Sequence, residues 1–65
     1  MLRIKRDLIN IDEIKYIKPD YYPNICNPNA IYVQFKGDDY LIIYFDSQEE
    51  RDEELDRVLK KVEEE

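Results

Sequence analysis

The sequence predicts an α+β fold in which a small antiparallel β-meander of three to four strands carries one C-terminal amphipathic helix on one face. Two apolar segments rich in Ile, Val, Tyr and Phe flank a short turn that contains the single glycine, as expected for a β-hairpin. The last third of the chain repeats apolar residues with the period of a helix. At 65 residues, the chain is expected to form a single domain, residues 1–65.

The first strand is predicted at the N-terminus. Leu2 and Ile4 alternate with charged residues, which is typical of an edge strand, and Asp7 is expected to end it. Residues 10–13 favour a tight turn, because Asn and Asp side chains bond to their own neighbouring backbone.

The second strand is predicted over residues 14–17, which are rich in β-branched and aromatic residues. A single helical turn is the alternative for these residues, and Pro19 is expected to end either element. Residues 19–29 hold three prolines and three asparagines and are predicted to form a loop. A loop of this length exceeds the usual ~4–6 residues, so it is either functional or mobile.

The clearest element is a β-hairpin of two strands, Ala30–Lys36 and Asp39–Phe45. Gly37, followed by an aspartate, favours a type II′ turn, because glycine adopts a positive φ without a Cβ clash. Such a two-residue turn would pair the last residue of the first strand with the first residue of the second.

The register of this hairpin decides which side chains share a face. A two-residue turn would mix the aliphatic residues of the first strand with the tyrosines of the second. A three-residue turn, expected to pair Phe35 with Leu41, separates apolar from amphipathic residues better, and a one-residue slip would reverse a whole strand face. The three-residue turn is therefore expected, and neither register leaves a polar face. It unites Ile31, Val33, Phe35, Leu41, Ile43 and Phe45.

The helix is predicted from about Gln48 to Val62. Ser47 and Glu50 have the spacing of a capping box, in which each side chain accepts a hydrogen bond from the backbone. Acidic residues in the first turns suit the positive end of the helix dipole. The stripe expected to face the sheet follows the i, i+3, i+4, i+7 spacing and consists of Leu55, Val58, Leu59 and Val62.

The charge distribution excludes some classes of partner. Ten basic and sixteen acidic side chains give a net charge of −6. Residues 47–65 carry −5 (nine acids, four bases) and residues 1–46 carry −1 (seven acids, six bases). Direct binding to nucleic acid is not expected, because its affinity comes from basic side chains on phosphates. No membrane span is expected either, since the longest apolar run, Tyr40–Phe45, is far shorter than ~20 residues.

The residue inventory argues against catalysis. The sequence has no histidine, so it lacks the usual general base near neutral pH and an imidazole metal ligand. One glycine excludes a glycine-rich phosphate loop, and the adjacent acids lack the spacing of a calcium loop. Cys26, the single cysteine, cannot form an internal disulfide, which favours a reducing cytoplasm. We expect no enzyme activity, no catalytic residue, no cofactor, no bound metal and a cytoplasmic location.

The order of the segments resembles a known pattern. Residues 11–17, the hairpin over residues 31–45 and the capped helix are similar to the opening half of LytTR-type DNA-binding domains and to small flagellar proteins of the FlbD type. The resemblance implies a β-meander followed by a helix. The sequence lacks the second half and the basic surface that a LytTR-type domain uses on DNA, so no functional residue is carried over.

The tyrosines give the first functional hypothesis, a small acidic, non-catalytic protein-interaction module. Tyr32, Tyr40 and Tyr44 share with Ile42 the hairpin face that the helix should leave uncovered. Tyrosine suits interfaces because it joins a large apolar ring to a polar tip, although it is also common on half-exposed strands. The expected partner is a protein, with a second copy of the chain as one candidate. Alternatively, the segment around residues 9–17, with Tyr21 and Tyr22 from the proline loop, folds over this face and closes a small barrel.

The alternative hypothesis is an inhibitor that mimics nucleic acid. Four carboxylates on the outer side of the predicted helix would stand in for phosphates: Glu49, Glu50, Glu53 and Asp56. The simpler interpretation is a solvated helix face, since interspersed basic residues dilute the field. A third hypothesis uses the tyrosines as a stacking platform for single-stranded nucleic acid.

Overall fold

The computed structural model describes residues 1–24 and 26–64, and it confirms the α+β fold class. The elements are β1 (Leu2–Ile4), β2 (Asp7–Ile9), a 3-10 turn (Ile11–Glu13), β3 (Ile14–Tyr21), β4 (Asn29–Phe35), β5 (Tyr40–Phe45) and α1 (Gln48–Glu64). A three-stranded antiparallel sheet has the order β3-β4-β5, and β1 and β2 form a separate two-stranded sheet. The helix α1 packs against the larger sheet and against β1.

The N-terminal segment forms a hairpin rather than the predicted single strand. β1 pairs antiparallel with β2, so that Leu2 lies opposite Ile9 and Ile4 lies opposite Asp7. The chain reverses at Lys5, which has a positive φ of 53°. Asp7 therefore begins a strand at the point where the sequence predicted an end. Turns of this kind usually carry Gly, Asn or Asp at positive φ, and lysine gives no such signal.

The tight turn predicted over residues 10–13 is present as a 3-10 turn. Asn10 Oδ1 accepts a hydrogen bond from the Asp12 N–H at 3.1 Å, and Asn10 O accepts one from the Glu13 N–H at 3.0 Å. The Asn side chain thus caps the turn by the mechanism that predicted it.

β3 continues through Pro19, so the prediction that Pro19 ends the strand is wrong. The Tyr22 N–H donates to Pro28 O at 2.8 Å. Antiparallel pairing alternates, so between residues 16 and 21 the even-numbered residues direct their backbone groups toward β4 and the odd-numbered ones outward. Pro19 occupies an outward position, where its missing N–H removes no hydrogen bond of the ladder. The predicted loop consequently begins after Tyr21 and ends before Asn29, and its residue 25 lies outside the described residues.

The central hairpin separates its faces as predicted but pairs in a different register. Val33 lies opposite Leu41, whereas the sequence predicted Phe35 opposite Leu41. The chain turns over residues 36–38, and the Phe35 N–H donates to Asp39 O at 3.0 Å. A pairing of Phe35 with Leu41 would have needed a longer loop. The turn therefore has the three residues that were expected, and Gly37 has no positive φ, which rules out the alternative two-residue type II′ turn.

The helix begins as predicted and continues two residues beyond the predicted end. The Glu50 N–H donates to Ser47 Oγ at 3.1 Å, which confirms the Ser47 half of the capping box. Leu59 is 40% exposed, so its predicted place in the core is wrong. The residues of α1 that face the sheet are Arg51, Leu55, Val58 and Val62.

Arg51, and not Leu59, is the fourth residue of the buried stripe. It lies four residues before Leu55 and is only 8% exposed. Its Nη1 donates to Asp20 O at 3.0 Å, and its Nε donates to Asp52 Oδ1 at 2.9 Å. The guanidinium therefore joins the first turn of α1 to the end of β3, while its apolar stem extends the packing surface.

One apolar core lies between the larger sheet, the helix and the N-terminal hairpin. Its buried members are Leu2, Ile4, Ile9, Ile31, Val33, Ile43, Phe45 and Val58. All of its β4 and β5 residues point to one side, so the helix and the β1–β2 hairpin cover the same face of the sheet. Within the described chain, no helix is both long and apolar enough to cross a membrane.

Candidate interaction surface

The side of the sheet opposite α1 carries a surface that we call the tyrosine face. Residues alternate between the two faces of a strand, and the register aligns those that point away from the core. From β3 to β5, they form three cross-strand rows: Tyr16, Gln34 and Tyr40; Lys18, Tyr32 and Ile42; Asp20, Ala30 and Tyr44. The predicted set of Tyr32, Tyr40, Ile42 and Tyr44 thus lies on one surface.

Three tyrosine rings stack across the three strands. The ring centroids of Tyr16 and Tyr32 are 6.1 Å apart with an interplanar angle of 20°. Those of Tyr32 and Tyr40 are 5.6 Å apart with an angle of 11°. Tyr32 is the central ring, and offset stacking of this kind holds the other two in fixed positions relative to it.

Polar groups fix the central ring. Tyr32 Oη donates to Gln34 Oε1 at 2.7 Å, and Gln34 Nε2 donates to Asp39 O at 3.0 Å. Lys18 Nζ lies 5.2 Å from the centroid of the Tyr32 ring, a cation–π distance. Burial, with a smaller contribution from neighbouring Tyr16, raises the pKa of the Tyr32 phenol above its ordinary value. Contacts to both the ring and the hydroxyl therefore fix the position of the Tyr32 side chain.

A second aromatic contact closes one end of the face. The rings of Tyr22 and Tyr44 meet edge to face, with centroids 6.1 Å apart and an angle of 65°. Tyr22 Oη donates to Asp20 Oδ2 at 2.8 Å. Desolvation, followed by this hydrogen bond, raises the pKa of Tyr22 to about 12. The same hydrogen bond is the largest of the causes that lower the pKa of Asp20.

The tyrosine face is open at the β5 side. Tyr40 is 59% exposed and Tyr44 is 40% exposed, while Tyr32 and Ile42 are half-buried. The N-terminal half does not fold over this face: β3 extends it sideways, and the β1–β2 hairpin lies on the opposite side.

Tyr16 and Tyr22 also belong to this surface, although the predicted contact set did not include them and only the alternative of a covered face placed their segments there. Tyr16 stacks on the central ring, and Tyr22 braces the corner at Tyr44. The signal was the even spacing of residues 16, 18 and 20, which places them on one strand face. This spacing was not recognised because the sequence does not show that the strand pairs with β4, and because the strand was expected to end at Pro19.

The acidic helix surface is exposed but has basic neighbours. Glu49, Glu50, Glu53 and Asp56 are all solvent-exposed. Asp56 Oδ2 lies 3.1 Å from Lys60 Nζ, and a groove lined by Glu50 and Glu53 also contains Lys5 and Arg57. These cations reduce the field that a mimic of a phosphate chain would need.

Across residues 1–24 and 26–64, no three or more His, Cys, Asp or Glu side chains gather in a group that could hold a metal ion. Cys26 is an exposed free thiol.

Comparison with family models, curated proteins and solved structures gives no match for this chain. The similarity to LytTR-type domains stays a similarity of pattern. Function must be inferred from the tyrosine face and the charges around it.

Proposed function

We propose that this chain is a non-catalytic protein-interaction module and that the tyrosine face is its contact surface. One observation carries the proposal. The stacked row from Tyr16 through Tyr32 to Tyr40 ends in a ring that is 59% exposed, on a sheet face that Tyr22 closes at one end and that no helix or other strand of the described chain covers. Rigid tyrosines lose little side-chain entropy on binding, and they are enriched at protein interfaces.

The stacking geometry favours a protein partner over single-stranded nucleic acid. Base stacking needs aromatic rings with free faces. The faces of Tyr32 are turned toward Tyr16 and Tyr40, with small interplanar angles on both sides. Lys18 is the one basic side chain in the aligned rows of the face, and its Nζ lies 3.9 Å from Asp20 Oδ2. A phosphate backbone lying along these rows would therefore meet little positive charge, and the nearest further cations, Lys5 and Arg6, lie beside Tyr44 at the β5 edge.

Affinity capture with matched variants tests the proposal. Baits would be the wild type, a Tyr40→Ser/Tyr44→Ser variant and a helix control, Glu49→Gln/Glu53→Gln. Both variants change exposed positions, so folding should persist, and circular dichroism would verify it. Proteins enriched by the wild type and the control but lost from the tyrosine variant are the expected result.

The measurement then continues with a purified partner. Titration calorimetry should show binding to the wild type that weakens at least about tenfold in the tyrosine variant. If every captured protein is retained by the tyrosine variant, the tyrosine face is not the contact surface. If capture instead depends on the helix carboxylates and on salt, the nucleic-acid mimic becomes the better hypothesis.

A cytoplasmic location belongs to the same proposal. The single cysteine cannot form an internal disulfide bond, and its thiol is exposed. Reducing conditions suit such a residue. Fractionation of cells that express the tagged protein would test this location.

A further inference from the structure

The outer edge of β5 presents unpaired backbone groups. The Phe35 N–H donates to Asp39 O, and the alternation of an antiparallel ladder then directs the odd-numbered residues of β5 toward β4. The N–H and C=O groups of Tyr40, Ile42 and Tyr44 consequently point away from the sheet. Lys5 Nζ donates to Tyr44 O, which agrees with this direction.

The other edge of the sheet is protected against pairing. On β3, Pro19 removes an outward N–H, and an irregularity between Ile14 and Tyr16 breaks the regular ladder. Lys15 and Lys18 add charge to the same strand. Prolines, bulges and lysines are the devices by which natural sheets prevent an edge from accepting another strand.

The β5 edge has almost none of these devices. Tyr40–Phe45 is a six-residue strand without a charge or a proline. Within the part of the chain that the structure describes, the Lys5 side chain is the one group that hydrogen-bonds to its outward backbone atoms. A groove lies along this edge, and it is lined by Lys5, Arg6, Asp7, Asn27, Ile42, Ile43 and Tyr44.

We propose that β5 pairs antiparallel with β5 of a second copy of this chain, across a two-fold axis that passes beside Ile42. This proposal goes beyond the proposed function, because it uses the backbone groups of Tyr40, Ile42 and Tyr44 and leaves their side chains on the tyrosine face. Matching faces requires residues of equal parity to lie opposite each other. The register centred on Ile42 meets that condition, and it places Tyr40 of one copy opposite Tyr44 of the other. All outward groups of the two strands then lie in hydrogen-bonded pairs.

Charge complementarity favours a second copy as the occupant. Lys5, Arg6 and Asp7 line the groove beside Tyr44, so that end of the edge has a net charge of +1 from these three side chains. In the proposed register, that end of β5 lies next to the β4–β5 turn of the other copy, which carries Asp38 and Asp39. Because of the two-fold symmetry, the dimer contains two such contacts between a basic turn and an acidic turn. Their attraction offsets the repulsion between Asp46 and Asp38 of the second copy.

Edge pairing would leave both tyrosine faces available. A two-fold axis perpendicular to the sheet keeps like faces on the same side, so the dimer has a six-stranded sheet with both helices on one face. Self-association also adds buried area to a chain of 65 residues, a size at which a single core is marginal.

Charge placed at the two-fold position gives a specific test. Two variants, Ile42→Lys and Ile42→Glu, would be studied separately and as an equimolar mixture by analytical ultracentrifugation, with a reducing agent to exclude a disulfide through Cys26. The wild type should sediment as a dimer, at twice the 8.0 kDa of one chain. Each variant alone should self-associate about a hundredfold more weakly, because like charges meet across the axis. The mixture should restore a dimer that contains one copy of each.

Two further variants test whether the dimer forms through the backbone of β5. Ile42→Pro removes an outward N–H without touching the ladder to β4, so it should abolish the dimer and keep the native far-UV circular dichroism spectrum. Ile42→Ala retains the N–H and should keep most of the dimer. Equal loss in both variants would overturn backbone pairing at this edge.

The remaining outcomes separate the two proposals. Edge pairing is overturned if the wild type stays monomeric at millimolar concentration, or if the mixture of charged variants does not associate. A Tyr16→Ser/Tyr32→Ser variant changes the tyrosine face away from β5, so it should remain dimeric. If that variant alone loses the dimer, edge pairing is wrong and self-association occurs through the tyrosine face. If the edge dimer forms while capture by the tyrosine face fails, the proposed function is wrong and edge pairing stands.

Discussion

The two faces of the three-stranded sheet differ in how they are completed. One face is aliphatic, and the helix and the N-terminal hairpin bury its residues almost fully. The other face is aromatic and carries the phenol hydroxyls of its tyrosines. No helix or other strand of the described chain covers it. β4 serves both, since Val33 points into the core and Tyr32 points to the open side.

The contrast shows how one short sequence can encode stability and a contact surface in the same strands. Alternation along a strand lets each face evolve separately. Core positions have little freedom, because a 65-residue chain has one small core and small total stability. The tyrosine positions can change with less effect on folding, as long as their phenol tips reach solvent or a polar partner.

The largest expected effect is on the covered face. Val58→Asp should unfold the domain, because it buries an unpaired carboxylate at a fully buried position and should cost about 3–5 kcal/mol. Leu59→Asp is the matched control on the adjacent, 40% exposed position, and it should cost less than about 1 kcal/mol. Urea unfolding followed by circular dichroism measures both. The opposite ranking would mean that the helix presents a different face to the sheet.

The next effect concerns the buried guanidinium between the helix and β3. Arg51→Ala removes the hydrogen bond to Asp20 O and the packing of the side-chain stem, so the free energy of unfolding should fall by about 2 kcal/mol. The control is Lys60→Ala, which breaks an exposed ion pair with Asp56 and should cost less than about 0.5 kcal/mol. Similar losses in both variants would show that Arg51 contributes no more than a surface charge.

The sequence predicted those features of the fold that depend on local periodicity. The strands of the central hairpin, the separation of their faces and the start of the helix at Ser47 all follow from spacing or capping. Three of the four predicted stripe residues of the helix face the sheet, but Leu59 does not, and Arg51 was missed because it was treated as purely polar. The methylene stem of Arg51 extends the buried stripe by one turn before Leu55.

Features set by tertiary context were not predictable in this way. A lysine at positive φ makes the N-terminal hairpin, and its side chain gives no turn signal. Pro19 is compatible with β3 only because that strand lies at an edge with the proline facing outward, a fact of topology rather than of sequence. Extending β3 past Pro19 places Asp20 on the tyrosine face and leads the chain to Tyr22, whose ring contacts Tyr44, whereas the position of Tyr16 depends on the pairing of β3 with β4.

A smaller effect is expected within the tyrosine row. A double-mutant cycle with Tyr32→Ala and Tyr40→Ala should give a coupling energy of about 0.5–1.5 kcal/mol, because the rings stack at 5.6 Å. The control cycle pairs Tyr32→Ala with Tyr21→Ala. Tyr21 is exposed, and the alternation along β3 places its side chain on the face opposite Tyr32. That pair should couple by less than about 0.3–0.5 kcal/mol. Equal coupling in both cycles would contradict direct stacking.

The smallest expected effect is the pH dependence of the corner where Tyr22 donates to Asp20. The pKa of Asp20 is lower in the folded chain than its ordinary value of 3.8, so this carboxylate adds stability above about pH 4. That contribution disappears as the pH falls through the folded pKa. Urea unfolding of the wild type and of Tyr22→Phe should therefore differ most near neutral pH, and the difference should shrink below pH 4. A difference that stays constant down to pH 2 would exclude Asp20 as its source.

The same corner also loses stability at alkaline pH, where the loss accompanies a rise in pH rather than a fall. The pKa of Tyr22 rises from its ordinary value of 10.0 to about 12 on folding, which means that the folded chain favours the neutral phenol. Its stabilising contribution is complete below pH 10 and is lost as the pH rises from 10 through 12. Phenolate absorbance of the folded wild type should include a step about two pH units above that of an ordinary phenol, from Tyr22. Burial also raises the pKa of Tyr32, so Tyr22→Phe should lower the amplitude of the late ionisation by one phenol rather than abolish it. A late amplitude that is unchanged in the variant would assign the step to another residue.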